Sequence, residues 1–562
     1  MKKRIVTNAI SIVLLCSFAV AIFGKDTLAF IGWYREGDKM SYLDKNGYKF
    51  ATTWIETDGM MFYLGEDGYV VYNKVFEYNG NLYCVDERGA RVENDFVEVT
   101  ADMVADDSIT PGLYYFNERG VAYRRHDTIF THVINGKKYA FDEEGHVLQD
   151  CWLDENGEIV NDADSILDEG MYYVNPDGSI KQNEWLNFLY DIGSVEDMGA
   201  SKLISQSYQD MKALWMYFKS NGKKAKATEE NDRLERMTIN GKNYAFDEKG
   251  IMLLGFEKNR EAVDRTQPSN PTVKSKTRIY DWTEGDLLKN QWLHERTPED
   301  FDQDDYNDAT DYWFYVESDG SLTKNKIIKI NNKKYIFDGF GRLRKGFILV
   351  DGTSFYVAEY KSEDLTRDDF IYSVAEGGRL YGSDLSDLHY FDESEEEAEG
   401  SMKTGEFTVE LSDGSYVFNF KASGKAYGNK NDLKLYKNSY YRNGLKFMPW
   451  DDTKYGIVKI SDDEYKVVDA RGKVVEGKRK LIKDDFGNYI VILGNRLAAY
   501  IVEPRHKVQL RWKTFGGVTG YYYYDLDLEK KDYTGIAVSS TATCPTNEML
   551  NDIPKEMRLN FR

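Results

Sequence analysis

Four tryptophans stand seven residues after a glycine: Trp54 after Gly47, Trp152 after Gly145, Trp185 after Gly178 and Trp292 after Gly285. An indole brings a wide apolar face and a negative π surface, suited to stacking on sugars or to holding an organic cation. Trp33 and Trp313 extend the set. So do Tyr63, Tyr115, Tyr173 and Tyr315, each five residues before a turn glycine, on a strand position expected to face outward. Groups for covalent chemistry are sparse. The histidines (His126, His132, His146, His294, His389, His506) show no H-E-x-x-H spacing, and no G-x-S-x-G elbow occurs. Cys84 and Cys151 replace core or turn residues and read as small buried fillers rather than nucleophiles. Carboxylates are too abundant to single out a glycosidase dyad. Asp300, Asp302, Asp304, Asp305, Asp308 and Asp311 resemble a calcium loop, but Asp305 and Asp311 stand where an EF-hand needs Gly and Glu, so a solvated acidic loop is expected. No catalytic residue, metal or cofactor is assigned.

The rings are positioned by a repeat. EYNGNLYCVDERG (77–89), VINGKKYAFDEEG (133–145), TINGKNYAFDEKG (238–250) and KINNKKYIFDGFG (329–341) are near copies, and looser copies end at Gly68, Gly120, Gly178, Gly320 and Gly424. Six residues before these glycines stand Phe62, Tyr83, Tyr114, Tyr139, Tyr172, Tyr244, Phe314, Tyr335 and Phe418. Four before them stand Leu64, Val85, Phe116, Phe141, Val174, Phe246, Val316, Phe337 and Phe420. A constant period of two marks a half-buried strand, and Asp/Asn-x-x-Gly after it is turn chemistry. Each unit therefore reads as a β-hairpin, with the ring six before the glycine in its core. A lone hairpin is marginal in water, so the hairpins must bury one another's faces. The expected fold is all-β, an elongated solenoid of stacked hairpins.

Composition agrees. The 562 residues hold 42 Tyr, 29 Phe and 10 Trp, and 95 Asp+Glu against 73 Lys+Arg give a net charge of −22. That sign argues against nucleic acid and anionic lipid, and the aromatic content argues against disorder. The amino terminus follows the charged, apolar, small-residue order of a secretory signal, with cleavage expected after Ala29. The competing reading is an uncleaved anchor over Ile5–Phe23, which Thr7 and Asn8 interrupt. Taking the signal's net +3 from −22 leaves −25 on the exported form. Cys84, Cys151 and Cys544 are then too few to staple the chain.

The strings INGKKYAFDEEG, INGKNYAFDEKGIMLLGF and KIIKINNKKYIFDGFGRLRKGF resemble the cell-wall-binding repeats of Gram-positive surface proteins. That group includes choline-binding repeats, glucan-binding repeats and the receptor-binding repeats of clostridial toxins. The resemblance runs from about Trp33 to about Phe347, with echoes to Gly472. It implies a β-solenoid that binds choline-bearing teichoic acid or carbohydrate between neighbouring hairpins. The chain departs from the choline-binding pattern seven residues before the glycine, where Met61, Leu82, Lys138, Met171, Asn243 and Lys334 stand and only Trp313 is a tryptophan. Thr53, Cys151, Glu184 and Gln291 replace the glycine expected before each post-turn tryptophan. Complete cages are therefore not expected at most repeats. The acidic balance favours a cationic ligand, whereas the repeat style leans towards glycan.

The expected organisation is a signal over 1–29, hairpin repeats over 30–390, an acidic linker over 391–405 and a β-rich region over 406–562, read as degenerate repeats or a separate domain. Within the repeats, a short helical insertion is expected near 196–218 and a polar loop or linker over 257–277. The expected function is a secreted, non-catalytic surface protein, held non-covalently to a wall polymer or extracellular polysaccharide, with no nucleic-acid partner and no membrane insertion after cleavage. The alternatives are a wall hydrolase with its active site in 406–562 and a host-glycan adhesin.

Overall fold

The structure, a computed structural model, describes residues 31–561 except 107, 127–128, 162, 190–212, 229–233, 259–260, 352–355, 374–377, 379, 381–385, 395–398, 451–452, 503–507, 516–517, 526–536 and 539–546. The expected signal lies outside the described residues. The chain divides into two compact units, Met1–Phe188 with Trp215–Ala225, and Leu189–Leu214 with Lys226–Arg562. Both are built from small antiparallel sheets. Among the described residues no helix is long and apolar enough to cross a membrane.

In the first unit Thr53–Thr57 pairs with Met60–Leu64, Lys74–Tyr78 with Asn81–Val85, Asp95–Val99 with Gly112–Phe116, and Thr131–Ile134 with Lys137–Ala140. The hairpins close at a turn other than the expected one. Asn79-Gly80 and Asn135-Gly136 both have left-handed φ (52° and 78°, 49° and 81°), the two-residue turn whose twist matches that of the strands. Asp/Asn-x-x-Gly instead ends the second strand. The Asp86 carboxylate accepts the N–H groups of Arg88 and Ala90 at 2.8 and 2.9 Å, and Gly89 at φ 82° turns the chain back.

That second turn carries the chain onto the preceding hairpin. The residue two places after the turn glycine donates its N–H to the carbonyl seven places before the previous one: Val70 to Met40, Arg91 to Met61, Ala122 to Leu82, Val147 to Leu113 and Ile180 to Lys138, at 2.7–2.9 Å. This explains the variety of side chains seven before the glycine, because the position works through its backbone oxygen. Four before the glycine, Leu64, Val85, Phe116, Phe141, Val174, Phe246, Val316 and Phe337 are fully buried.

In the second unit the same link joins Leu287 to Asn243 and Met402 to Lys334; further on, Ala426 and Val474, each two after a glycine, donate to the Leu388 and Asn438 carbonyls outside that spacing. The donor position two after a turn glycine thus persists past 406, while the acceptor spacing does not. There the sheets widen to five strands over 405–446 and three over 477–501. One core joins Phe347, Phe370 and Tyr390 to Phe418, Leu445 and Leu559, so segments on both sides of 391–405 pack together. The 391–405 stretch is itself packed where described: Phe391 is buried, and Glu393 accepts from the Ser362 N–H at 3.0 Å.

Two expectations are corrected. Ala213–Phe218 is a strand and not part of a helix, with Leu214, Met216 and Phe218 buried at period two; the rest of the expected helix lies outside the described residues. The 257–277 stretch is anchored rather than free. Buried Asn270 donates to the Tyr356 carbonyl at 2.8 Å and accepts from the Gly339 N–H at 2.9 Å.

Candidate functional site

The post-turn rings sit where one hairpin meets the next, and their surroundings differ. Around Trp292 four rings converge: Trp313, Tyr315, Tyr335 and Phe337. Trp313 stands at 84° to it with centroids 6.3 Å apart, Tyr315 at 66° and 5.2 Å, and Tyr335, from the following hairpin, at 74° and 4.9 Å. The strand register places Trp292 opposite Tyr315 and His294 opposite Trp313. His294 lies against Trp313 at 4.7 Å. Beneath them Ile330, Phe337 and Leu343 form an apolar floor. Trp292, Trp313 and Tyr315 are partly exposed, whereas Tyr335 is buried, which raises its phenol pKa. Two indoles near a right angle, with Tyr315 and Tyr335 packed edge to face against Trp292, make a partly exposed aromatic corner. Among the described residues no Lys or Arg head group lies over Trp292 or Trp313.

A second pair of indoles occurs in the first unit. Trp185 meets Trp215 at 85° and 6.5 Å, and Tyr217 at 61° and 5.1 Å. Trp215 stands seven before Gly222, the same position as Trp313 relative to Gly320. Sequence reading missed it because the insertion before it hides the repeat; the signal was the ALWMYFKSNG run ending in a turn glycine.

The other rings are used internally. Trp54 is enclosed by Tyr63, Phe76, Tyr78 and Tyr83 at 5.1–6.5 Å, and Tyr63 stacks on Phe76 at 4.4 Å. Trp152 is buried beside Tyr173 and Phe218. Tyr115 packs on Phe96 and stacks on Tyr123, which in turn stacks face to face on His132 at 3.8 Å. Burial lowers the His132 pKa. Trp33 meets Tyr42 and Phe62 edge to face and donates its indole N–H to Thr57 Oγ1 at 2.8 Å.

The expectation that Tyr63 and Tyr115 face outward is thus corrected, since they are 8% and 6% exposed. The face turned away from a hairpin's own core is covered by its neighbour's strand, a contact that no local period reveals. Tyr173 and Tyr315 are half-buried. Tyr173 donates to Asp150 at 2.7 Å, and burial followed by that carboxylate pushes its phenol up to about 12.

Polar clusters are likewise engaged. Asp142, Glu144 and His146 place possible metal-ligand atoms within 4.8 Å of one another. His146 Nδ1, however, bonds Asp142 Oδ2 at 2.8 Å, and Nε2 lies 2.9 Å from Thr110 Oγ1 and from the Tyr114 hydroxyl. The ring clasps one hairpin to another. The acidic loop near Asp300 is partly neutralised: Arg342 pairs with Asp302 at 3.3 Å, with Asp305, and with buried Asp338 at 2.7 Å. Cys84 is buried and its thiol pKa is pushed up to about 12; burial pushes Cys151 to about 11.

No protein-family model and no curated protein matches this chain. Solved structures do, at low likeness. The modular autolysin LytC of Streptococcus pneumoniae is 17% identical with a TM-score of 0.30, covering 57% of this chain and 54% of its own, so this chain spans about half its length. The choline-binding domain of CbpL, from the same organism, is 14% identical with a TM-score of 0.22, covering 56% of this chain and 98% of its own. Choline-binding protein F, also from S. pneumoniae, is 16% identical with a TM-score of 0.22, covering 75% and 99%. These are proteins of the group that the repeats resemble; the likeness assigns neither ligand nor activity.

Proposed function

We propose that this chain is a secreted, non-catalytic surface protein that holds a bacterial wall polymer through aromatic sites between hairpins, and that its ligand group is a quaternary ammonium such as choline on teichoic acid. In this reading the hairpins of each unit stack as a solenoid, supported by the repeated N–H to carbonyl link from one hairpin to the next. The observation that carries the ligand is the Trp292–Trp313–Tyr335 corner, with two partly exposed indoles, an apolar floor and, among the described residues, no Lys or Arg head group over the indoles. A bare ammonium would lose hydrogen bonds to water in such a corner, whereas a methylated one makes none to lose. The net charge of −22 adds a long-range attraction for cations.

Magnitudes set the expected affinity. Cation–π contacts are worth about 0.5–2 kcal/mol each, so three rings give at best about 6 kcal/mol before the cost of binding. One site should then bind choline at roughly millimolar strength. Attachment would come from several sites on one polymer. Titrating the protein with choline while following tryptophan fluorescence tests this. Saturable quenching that Trp292→Ala and Trp313→Ala each weaken at least tenfold is expected; quenching that both variants retain would refute the site.

A further inference from the structure

In most repeats, Arg91, Val147, Ile180, Lys224 and Leu322 among them, the residue two places after a turn glycine donates its N–H to an earlier hairpin or its approach, so its side chain starts from a similar point. From there it reaches the ring that follows the turn two before. Val147 shares a cluster with Phe96, Leu322 with Phe256, Ile180 with Phe130, and Leu343 with Trp292. These four are apolar and pack against the ring as floor.

At two repeats that follow another hairpin, those of Gly89 and Gly222, the same position carries a cation over a tryptophan. Arg91, two after Gly89, puts its guanidinium carbon 5.4 Å from the centre of the Trp54 ring. Lys224, two after Gly222, puts its ammonium 5.7 Å from the Trp152 ring. Both are held in place. Lys224 is 1% exposed, and its Nζ donates to the Ile166 and Leu167 carbonyls at 3.2 and 3.0 Å. The Arg91 guanidinium pairs with Glu93 at 2.6 Å.

We propose that Arg91 and Lys224 are resident cations filling the aromatic sites of Trp54 and Trp152, so that the residue two after the turn glycine decides which repeats accept an organic cation. The inference rests on the reading of the Trp292 corner as a cation site. A second positive charge cannot share a ring face with the first without like-charge repulsion, which is strong away from water. Hairpins with a cation at this position are therefore self-satisfied structural repeats. Those with Leu343 or another apolar residue leave the ring face to a ligand.

Choline titration of the full chain, read by stoichiometry and by the indole N–H resonances of Trp54, Trp152 and Trp292, tests this. In the wild type the Trp292 signal should shift while those of Trp54 and Trp152 stay put. Arg91→Met should add one choline equivalent and make the Trp54 signal respond. Lys224→Met should do the same at Trp152. Because Lys224→Met removes both hydrogen bonds to the Ile166 and Leu167 carbonyls and could unfold its hairpin, the partly exposed Arg91 site decides the matter if it does. A folded Arg91→Met protein with no added site, or a wild-type shift at Trp54 or Trp152, would overturn the inference. A wild-type protein silent at Trp292 would refute the proposed function instead, whatever the variants gain.

Discussion

Trp54, Trp152 and Trp292 share one sequence spacing, yet their neighbours give them different tasks. The Trp292 corner is walled by Trp313 and Tyr335, whereas Trp54 is packed by Phe76 and Tyr83 under a guanidinium. The spacing was legible because turn, strand and ring recur in register along the chain. The difference was not, since a ring's cover comes from hairpins some 40–70 residues away, such as Arg91 over Trp54 and Lys224 over Trp152. The thiols give a separate test at this scale. With burial pushing Cys84 to about 12 and Cys151 to about 11, both should resist iodoacetamide at pH 8 in the folded protein and react in urea, as peptide mapping would read. Rapid native alkylation of Cys84 would show that its strand opens or that the thiol is activated.

Within a hairpin, burial and backbone duty fall on different positions. Phe141, four before Gly145, is fully buried, whereas Lys138, seven before it, links hairpins through its carbonyl. Phe141→Ala should cost about 3–5 kcal/mol and Lys138→Ala less than about 1 kcal/mol, measured on the urea transition that contains this hairpin. Equal costs would contradict the division of labour. Sequence periodicity marks the Phe141 position because burial constrains its side chain. The Lys138 position departs from the pattern because a backbone carbonyl places no demand on the side chain that accompanies it. Lys324 supplies a pH test. It donates to the Val273 and Ser275 carbonyls, tying down the 257–277 stretch, and burial lowers its pKa to about 8. A lysine whose folded pKa lies below its unfolded one releases its proton more readily when folded. Its contribution to stability therefore grows as pH rises from about 8 towards the ordinary lysine range, and it is lost as pH falls back through 8. Urea midpoints of wild type and Lys324→Met should converge at high pH and favour the variant near pH 7. A pH-independent gap would refute the assignment.

Across the molecule, the all-β class and the run of hairpins were readable from composition and repeat alone. The insertion near 190–225 was not, because ALWMYF carries an apolar run that suits helix or strand until its partner Glu184–Leu189 is known. Nor was the packing on both sides of 391–405 legible, since acidic composition signals solvent whereas Phe391 and Glu393 are held by distant partners. The acidic charge keeps its meaning at this scale, favouring a cationic polymer group over bare phosphate. Weak single sites on a repeating polymer predict binding that is strong in sum and reversible by free ligand. The decisive measurement is sedimentation of the protein with purified choline-bearing Gram-positive walls, followed by washing with choline. The protein should pellet with the walls and be released by roughly 10–100 mM choline, well above the millimolar strength expected of one site. Protein left wholly in the supernatant, or held on the walls regardless of choline, would contradict a choline-binding role.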